Sequence, residues 1–346
     1  LDEANSDSAT FDSSQSGASY TYKAKLPATD SIGDELVLES GVSLPTITVL
    51  VGAVPMLMSS RGTNPVTELW IGPTKVVSEG AVYTTSGTGW SYDSSTCTLT
   101  LNGANISELA PNALIKFKNF DDTGNVYGIY CIGDLNIINT GTNTIDIRDA
   151  SLDKSKGLKI YGNLTVTGSG KLTLAGLVRG IEGNDLTVKE NVELECISSK
   201  ETEYTNYSGR GISIYGAVIV SDKAHLIGRA NRGNENTGIF LLGSMSIESD
   251  AMVSAFAMYG SAGGNIKGFD ALNANIEVNG KLIVESGNAG DKRYGSGIFL
   301  MNSNLKVLGT GSVEVRAGNP GPTSGFGVYG VNAIGGGSIT IDGGGF

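Results

Sequence analysis

From residue 128 onward a glycine followed by an apolar residue keeps returning, and this repeat limits the possible folds more than any other feature of the chain. The pairs are Gly128-Ile129, Gly157-Leu158, Gly180-Ile181, Gly211-Ile212, Gly238-Ile239, Gly268-Phe269, Gly297-Ile298 and Gly327-Val328, at intervals of 23 to 31 residues. A second alternating run follows each of the first seven pairs, as in Leu135-x-Ile137, Leu164-x-Val166 and Ile276-x-Val278. A third run comes after it, as in Leu172-x-Leu174, Val192-x-Leu194 and Leu282-x-Val284, with Gly and Asn in the turns between. An apolar residue at every second position marks a strand with one buried face. Three such strands cannot bury their apolar faces alone. Stacking repeats about 4.8 Å apart pairs each strand with its equivalents and gives them a common core. The repeat therefore predicts an all-β chain whose body, 128–346, is a right-handed parallel β-helix: a three-sheet solenoid of about eight coils. Its hand follows the crossover preference of parallel strands. No repeat carries a helical period, and the turns are too irregular for the tight hairpins of a propeller or sandwich.

The remainder divides by composition. Residues 67–127 are expected to form a cap and the first coil, with Trp70 and Trp90, the only tryptophans, closing the exposed solenoid end. Residues 20–66 read as a small N-terminal β unit (SYTYKAKL, ELVLES, PTITVLVG), and the Ser/Asp-rich 1–19 as a disordered linker. The longest apolar stretch, 44–58, contains Pro45 and Pro55 and suits a buried strand pair, since a membrane span needs about 20 apolar residues. The start, LDEANSDSATFDSSQSGAS, lacks Met and reads as a mature exported chain or a cloning boundary, so the expected location is extracellular or cell-surface. With 24 basic and 35 acidic residues, a net charge of −11, the chain lacks the basic field of a nucleic-acid binder. Cys97, Cys131 and Cys196 fall at inward positions and are expected to be reduced and buried, with no CxxC spacing for a metal or redox pair.

The Gly-Ile…Leu-x-Val…Gly-x-Val-x-Val coil resembles the pectin-lyase-like superfamily of right-handed β-helices. The run GWSYDSSTCTLTLNGANI (89–106) is similar to the opening of carbohydrate-binding β-helix proteins on the surfaces of gut and cellulolytic bacteria. The resemblance spans 69–346 and implies a polysaccharide or surface glycan as partner. Relatives with Asp-Asp-Gly-Ile at the coil turn imply bound calcium. Here the turns read Lys156-Gly, Arg179-Gly, Arg210-Gly and Lys267-Gly, so calcium is not indicated; Asp121-Asp122 is the only comparable pair. No other cofactor or metal is expected.

A β-helix lyase or hydrolase needs carboxylates converging on neighbouring coils. The outward column of the third strand reads Asp146, Thr173, Glu193, His225, Ser254 (or Met252), Ile283, Glu314; that of the second reads Asn136, Thr165, Thr187, Ile219, Ser246, Glu277, Lys306. Only Glu193 and His225 form a usable pair, and a solvated surface pair is the commoner outcome, so no catalytic residue is assigned. The connections before each glycine differ. They gather Lys154, Lys156, Arg179, Arg210, Arg229, Arg232, Lys267, Lys292 and Arg293, with Tyr204, Tyr207, Tyr259 and Tyr294 between them. Loops at one repeat position share an edge of a solenoid. Tyrosine rings stack on sugars and Arg holds a uronate in two places. The expected ligand site is therefore Tyr204, Tyr207, Arg210, Arg229, Arg232, Tyr259, Lys267, Lys292, Arg293 and Tyr294. A further outward column, Tyr130, Phe240, Phe299 and Tyr329, suggests packing or a second ridge. The function expected is a non-catalytic, monomeric surface protein that binds acidic polysaccharide. A structural stalk or adhesin, and a β-helix lyase or glycoside hydrolase, are the alternatives.

Overall fold

A computed structural model of the chain describes residues 64–110, 125–149, 154–200, 208–233, 235–260, 265–287, 295–318 and 328–342. The chain divides into two units, Leu1–Gly62 and Thr63–Phe346. The expected linker, and nearly all of the expected 20–66 unit, lie outside the described residues.

All regular elements among the described residues are strands, and they form a parallel β-solenoid with three faces. The first face stacks Asn125–Ile132, Lys154–Tyr161, Arg179–Gly183, Gly209–Ile214, Asn236–Leu241, Ile266–Leu272, Gly295–Met301 and Val328–Ile334, each parallel to the next. The second runs from Thr98–Asn102 to Ser338–Asp342, and the third from Asn105–Ile106 to Ser312–Ala317. Complete coils are slightly fewer than the eight expected. The leading coil adds only second- and third-face strands to the stack, and the last only first- and second-face strands, among the described residues. Inward residues in register, such as Ile129, Leu158, Ile181, Ile212, Ile239, Phe269 and Ile298, build one continuous core. No helix of the described residues is long and apolar enough to cross a membrane.

The structure explains the glycine of the repeat. A Cβ on Gly157 would lie 2.6 Å from the Gly180 carbonyl oxygen and 2.7 Å from the Ala175 nitrogen. On Gly211 it would press against the Arg229 amide nitrogen and sit 2.7 Å from the Gly238 carbonyl oxygen. First and third faces meet here main chain to main chain, so even alanine is too large. The last member of the column is corrected. Ile298 pairs with Val331, which aligns Gly330, not Gly327, with Gly297.

Antiparallel strands cover the leading edge: Glu68–Ile71 pairs with Asn125–Ile132, and Trp90–Asp93 with Thr98–Asn102. Trp90 and Tyr92 enter the core there, as expected of a cap. Trp70 does not. It pairs with Tyr130 and packs with Tyr127, Tyr130 and Ala110 in a separate cluster. All three cysteines are free, and Cys131 and Cys196 are buried. Cys97 is only half-buried, because it occupies a left-handed turn position (φ 51°) just before the strand begins at Thr98.

Candidate functional site

The register carries the basic residues out of the loops and onto a sheet. One outer column of the first face reads Tyr127, Lys156, Arg179, Arg210, Thr237, Lys267, Ser296, Tyr329, each just before the column glycine. Lys156, Arg179, Arg210 and Lys267 are thus strand residues, because neighbouring coils extend the parallel ladder through what sequence reads as connections. A second outer column reads Tyr130, Lys159, Glu182, Ser213, Phe240, Asp270, Phe299, Asn332. Tyr130, Phe240 and Phe299 share this column as expected. Tyr329 belongs to the other one, because Gly330 is the aligned glycine.

In the first half of this face the charges satisfy one another. Glu182 Oε1 accepts a 2.5 Å hydrogen bond from Lys159 Nζ, and its Oε2 lies 3.2 Å from Lys156 Nζ and 3.8 Å from Arg179 Nε. Lys156, Lys159 and Glu182 are all buried. Burial pushes the Glu182 carboxyl up, but Lys159, Lys156 and Arg179 outweigh it and hold the group below the usual carboxylate range. The Lys159 ammonium also lies 4.3 Å from the Tyr161 ring. Arg179 donates to the Val178 and Ser208 carbonyls at 2.7 Å; burial, then Arg210, lowers its pKa to about 10.

The second half is open. The Arg210 guanidinium lies 3.7 Å over the Phe240 ring of the next coil, and Lys267 Nζ 4.0 Å over Phe299 of the coil after its own. Lys267 also donates to Asp270 Oδ2 at 2.8 Å. Arg210 has no ion-pair partner among the described residues. Two hollows open between these groups. One, of about 240 Å³, is lined by Arg210, Glu235, Thr237, Phe240, Lys267 and Asp270 among others. The other, of about 410 Å³, is lined by Asn265, Lys267, Ser296, Phe299, Asn332 and Ile334. They share Asn265 and Lys267 and make one groove along the solenoid. Two buried acceptors, Asp270 Oδ1 in the smaller hollow and Asn265 Oδ1 on the shared wall, lack a donor. Burial lifts the Asp270 carboxyl above its usual range, against the pull of Lys267 and Arg210.

Of the ten expected site residues, Arg210 and Lys267 meet in this groove. Arg229 and Arg232 lie in the third-face strand His225–Gly233, where Arg229 sits 3.4 Å from Glu195 and 4.7 Å from the Phe256 ring. Tyr259 falls in the strand Met252–Gly260, in register with Arg232. Tyr204, Tyr207, Lys292, Arg293 and Tyr294 lie outside the described residues. Sequence reading missed Asp270 and Asn265. The signal for Asp270 was its place two residues after a column glycine, the same offset as Phe240 and Phe299.

The third face was the place to look for an enzyme. Glu193 neighbours His225 as expected, while Asp146, Ser254 and Met252 split between columns: Met252 joins His225, and Ser254 aligns with Ile227. Ser254 still reaches His225 diagonally, Oγ to Nε2 at 2.9 Å. A serine–histidine pair of this length suits a nucleophile and its base. Here Ser254 is 2 % exposed and Glu193 is bound to Lys171 at 3.0 Å. No carboxylate of the described residues forms an ion pair with the imidazole, and the contact links neighbouring coils. Among the described residues no group of His, Cys, Asp or Glu is placed to hold a metal ion, and Asp121 and Asp122 lie outside them. Set against family models, curated proteins and solved structures, the chain matches none.

Proposed function

We propose that this solenoid is a non-catalytic glycan-binding protein of the bacterial cell exterior, and that its first-face groove holds an acidic polysaccharide along the solenoid. The observation that carries this reading is the pair of cations laid over rings, Arg210 on Phe240 and Lys267 on Phe299, repeated along one groove. The half-buried Phe299 ring offers a surface for the C–H face of a sugar, Phe240 being buried beneath Arg210, and the cations supply charge-assisted hydrogen bonds to sugar hydroxyls and carboxylates. The coil resemblance to pectin-lyase-like proteins, and of 89–106 to surface carbohydrate binders, supports the same reading. Affinity then comes from several weak contacts in a row, grows with chain length and falls with salt. One observation favours a hydrolase instead: Asp270, with its raised pKa, and Glu235 line a single hollow.

The test is a glycan array run beside a reducing-sugar release assay on the same polysaccharides. Binding without release is expected. Each charge-assisted contact is worth about 1.5–3 kcal/mol, so Arg210→Ala and Lys267→Ala should each weaken binding roughly tenfold or more. Unchanged binding by the double variant would remove the groove as the site. Released reducing ends that vanish in Asp270→Asn would make the protein a hydrolase.

A further inference from the structure

The two hollows differ in charge, and the difference selects among acidic glycans. The smaller one brings Arg210 and Lys267 together with Glu235 and Asp270, two cations against two carboxyls. The larger one has Lys267 as its single charged residue, with Asn265, Asn332 and Ser296 as uncharged donors around Phe299. Asp270 Oδ1 is buried without a donor in the smaller hollow, and Asn265 Oδ1 is likewise orphaned on the shared wall. Orphaned buried acceptors call for donors, which sugar hydroxyls supply and an ionised carboxylate cannot. A uronate in the smaller hollow would meet the exposed Glu235 and lie beside the buried Asp270, and close like charges are strongly unfavourable. In the larger hollow the same uronate meets one ammonium and uncharged donors.

Resting on the glycan-binding reading, we propose that the smaller hollow takes a neutral, hydroxyl-rich sugar and the larger one a uronic acid, making the ligand a mixed polysaccharide rather than a polyuronate. Spacing narrows this further. The smaller hollow centres on Thr237 and the larger on Ser296, two rungs apart in one column, about 10 Å at the spacing of strands. That distance is the length of a disaccharide in an extended chain, so the hollows take sugars separated by one residue. A strictly alternating uronic glycan puts uronates at both positions and is excluded along with a homopolymer. The ligand carries its uronates at wider intervals, with neutral sugars between.

Length-matched fragments of three probes separate the outcomes in calorimetric titration at neutral pH: polygalacturonate, hyaluronan, which alternates strictly, and deacylated gellan, with one uronate in four sugars. Gellan fragments should bind at least about tenfold more tightly than the other two, the margin expected of one misplaced like charge. Asp270→Asn keeps the shape of the side chain, and it should bring that ratio to within about threefold by strengthening polygalacturonate binding. A thermal melt confirms that the variant is folded. If all three bind equally and Asp270→Asn changes nothing, the division of the groove is wrong while glycan binding stands. If none binds, the glycan-binding reading itself falls.

Discussion

The two halves of the first face start from the same sequence signal, a basic residue just before a column glycine (Lys156 and Arg179 in one, Arg210 and Lys267 in the other), and reach opposite results. Around Glu182 one carboxylate gathers Lys156, Lys159 and Arg179, and the charges close on themselves under cover. Around Arg210 and Lys267 the next column supplies Phe240 and Phe299, and the cations lie on rings beside open space. What separates them is the residue two places after the glycine: Glu182 in one half, aromatic rings and Asp270 in the other. A basic residue in a stacked repeat thus tells little by itself. Its diagonal neighbour on the next coil determines whether it closes into a buried ion pair or lies on a ring beside open space.

The largest expected effect strikes the closed half. Glu182→Ala strands buried cations and should cost about 3–5 kcal/mol in urea unfolding, as when one partner of a buried ion pair is removed. Asp270→Ala in the open half should cost no more than about 1 kcal/mol, its carboxylate being already disfavoured by burial. Equal losses would break the comparison.

The glycine column should show a smaller contrast. Gly211→Ala drives a Cβ into main-chain atoms and should cost about 3 kcal/mol, the upper range for overpacking. Gly268→Ala meets the Val284 side chain first, which can give way, although the Gly297 carbonyl oxygen stands at 2.8 Å. Its cost should be roughly half as great by the same measure. A larger cost at Gly268 would show that the open half packs as tightly as the closed one.

Acid should separate the halves more gently. Glu182 has a lowered folded pKa, so its contribution is complete above the unfolded value and is lost as pH falls through the folded one. Asp270 has a raised folded pKa, so its contribution is complete below the unfolded value and is lost as pH rises through the folded one. Hydrogen exchange should therefore show 179–183 losing protection in acid while 266–272 keeps it. Uniform loss would mean that the halves titrate as one unit.

The smallest effect leaves stability untouched and checks the register beneath the comparison. Cys97 should react with a thiol reagent in the native protein, and Cys131 and Cys196 only after unfolding. Burial raises the pKa of both buried thiols, which slows them further. Native labelling of Cys196 would place it on the outside and invalidate the third-face columns.

The solenoid was legible in sequence because every coil repeats the same demand, two or three apolar residues at alternate positions beside a glycine. The outward column of the second face, Asn136 to Lys306, emerges from the structure in the order the alternation gives it. Cys97 misled because alternation runs on past the strand start, where a turn reverses the backbone. Asn139 and Asn143 were hidden for another reason. Each looks like a turn residue, yet both are fully buried at a corner, where Asn143 donates to Asn139 Oδ1 at 2.8 Å and accepts from the Ala104 amide at 2.7 Å. Inward polar residues satisfied by one another break the binary pattern without breaking the core. The groove was half legible. Arg210 and Lys267 stood out by charge, but Asp270 needed the three-dimensional register to join them.

The glycine column has a consequence for any partner. At Gly157, Gly180 and Gly211 first and third faces touch through main-chain atoms, and along the whole stack the distance between rungs is set by peptide hydrogen bonds, not by adjustable side chains. The solenoid is then a gauge of fixed graduation. A polymer lying on it has to come into phase with the marks by its own bending, and the conformational freedom lost on binding is almost all the polymer's. Chains already stiff near that repeat distance lose the least, so on the glycan-binding reading proposed above stiffness, as much as composition, should rank the ligands.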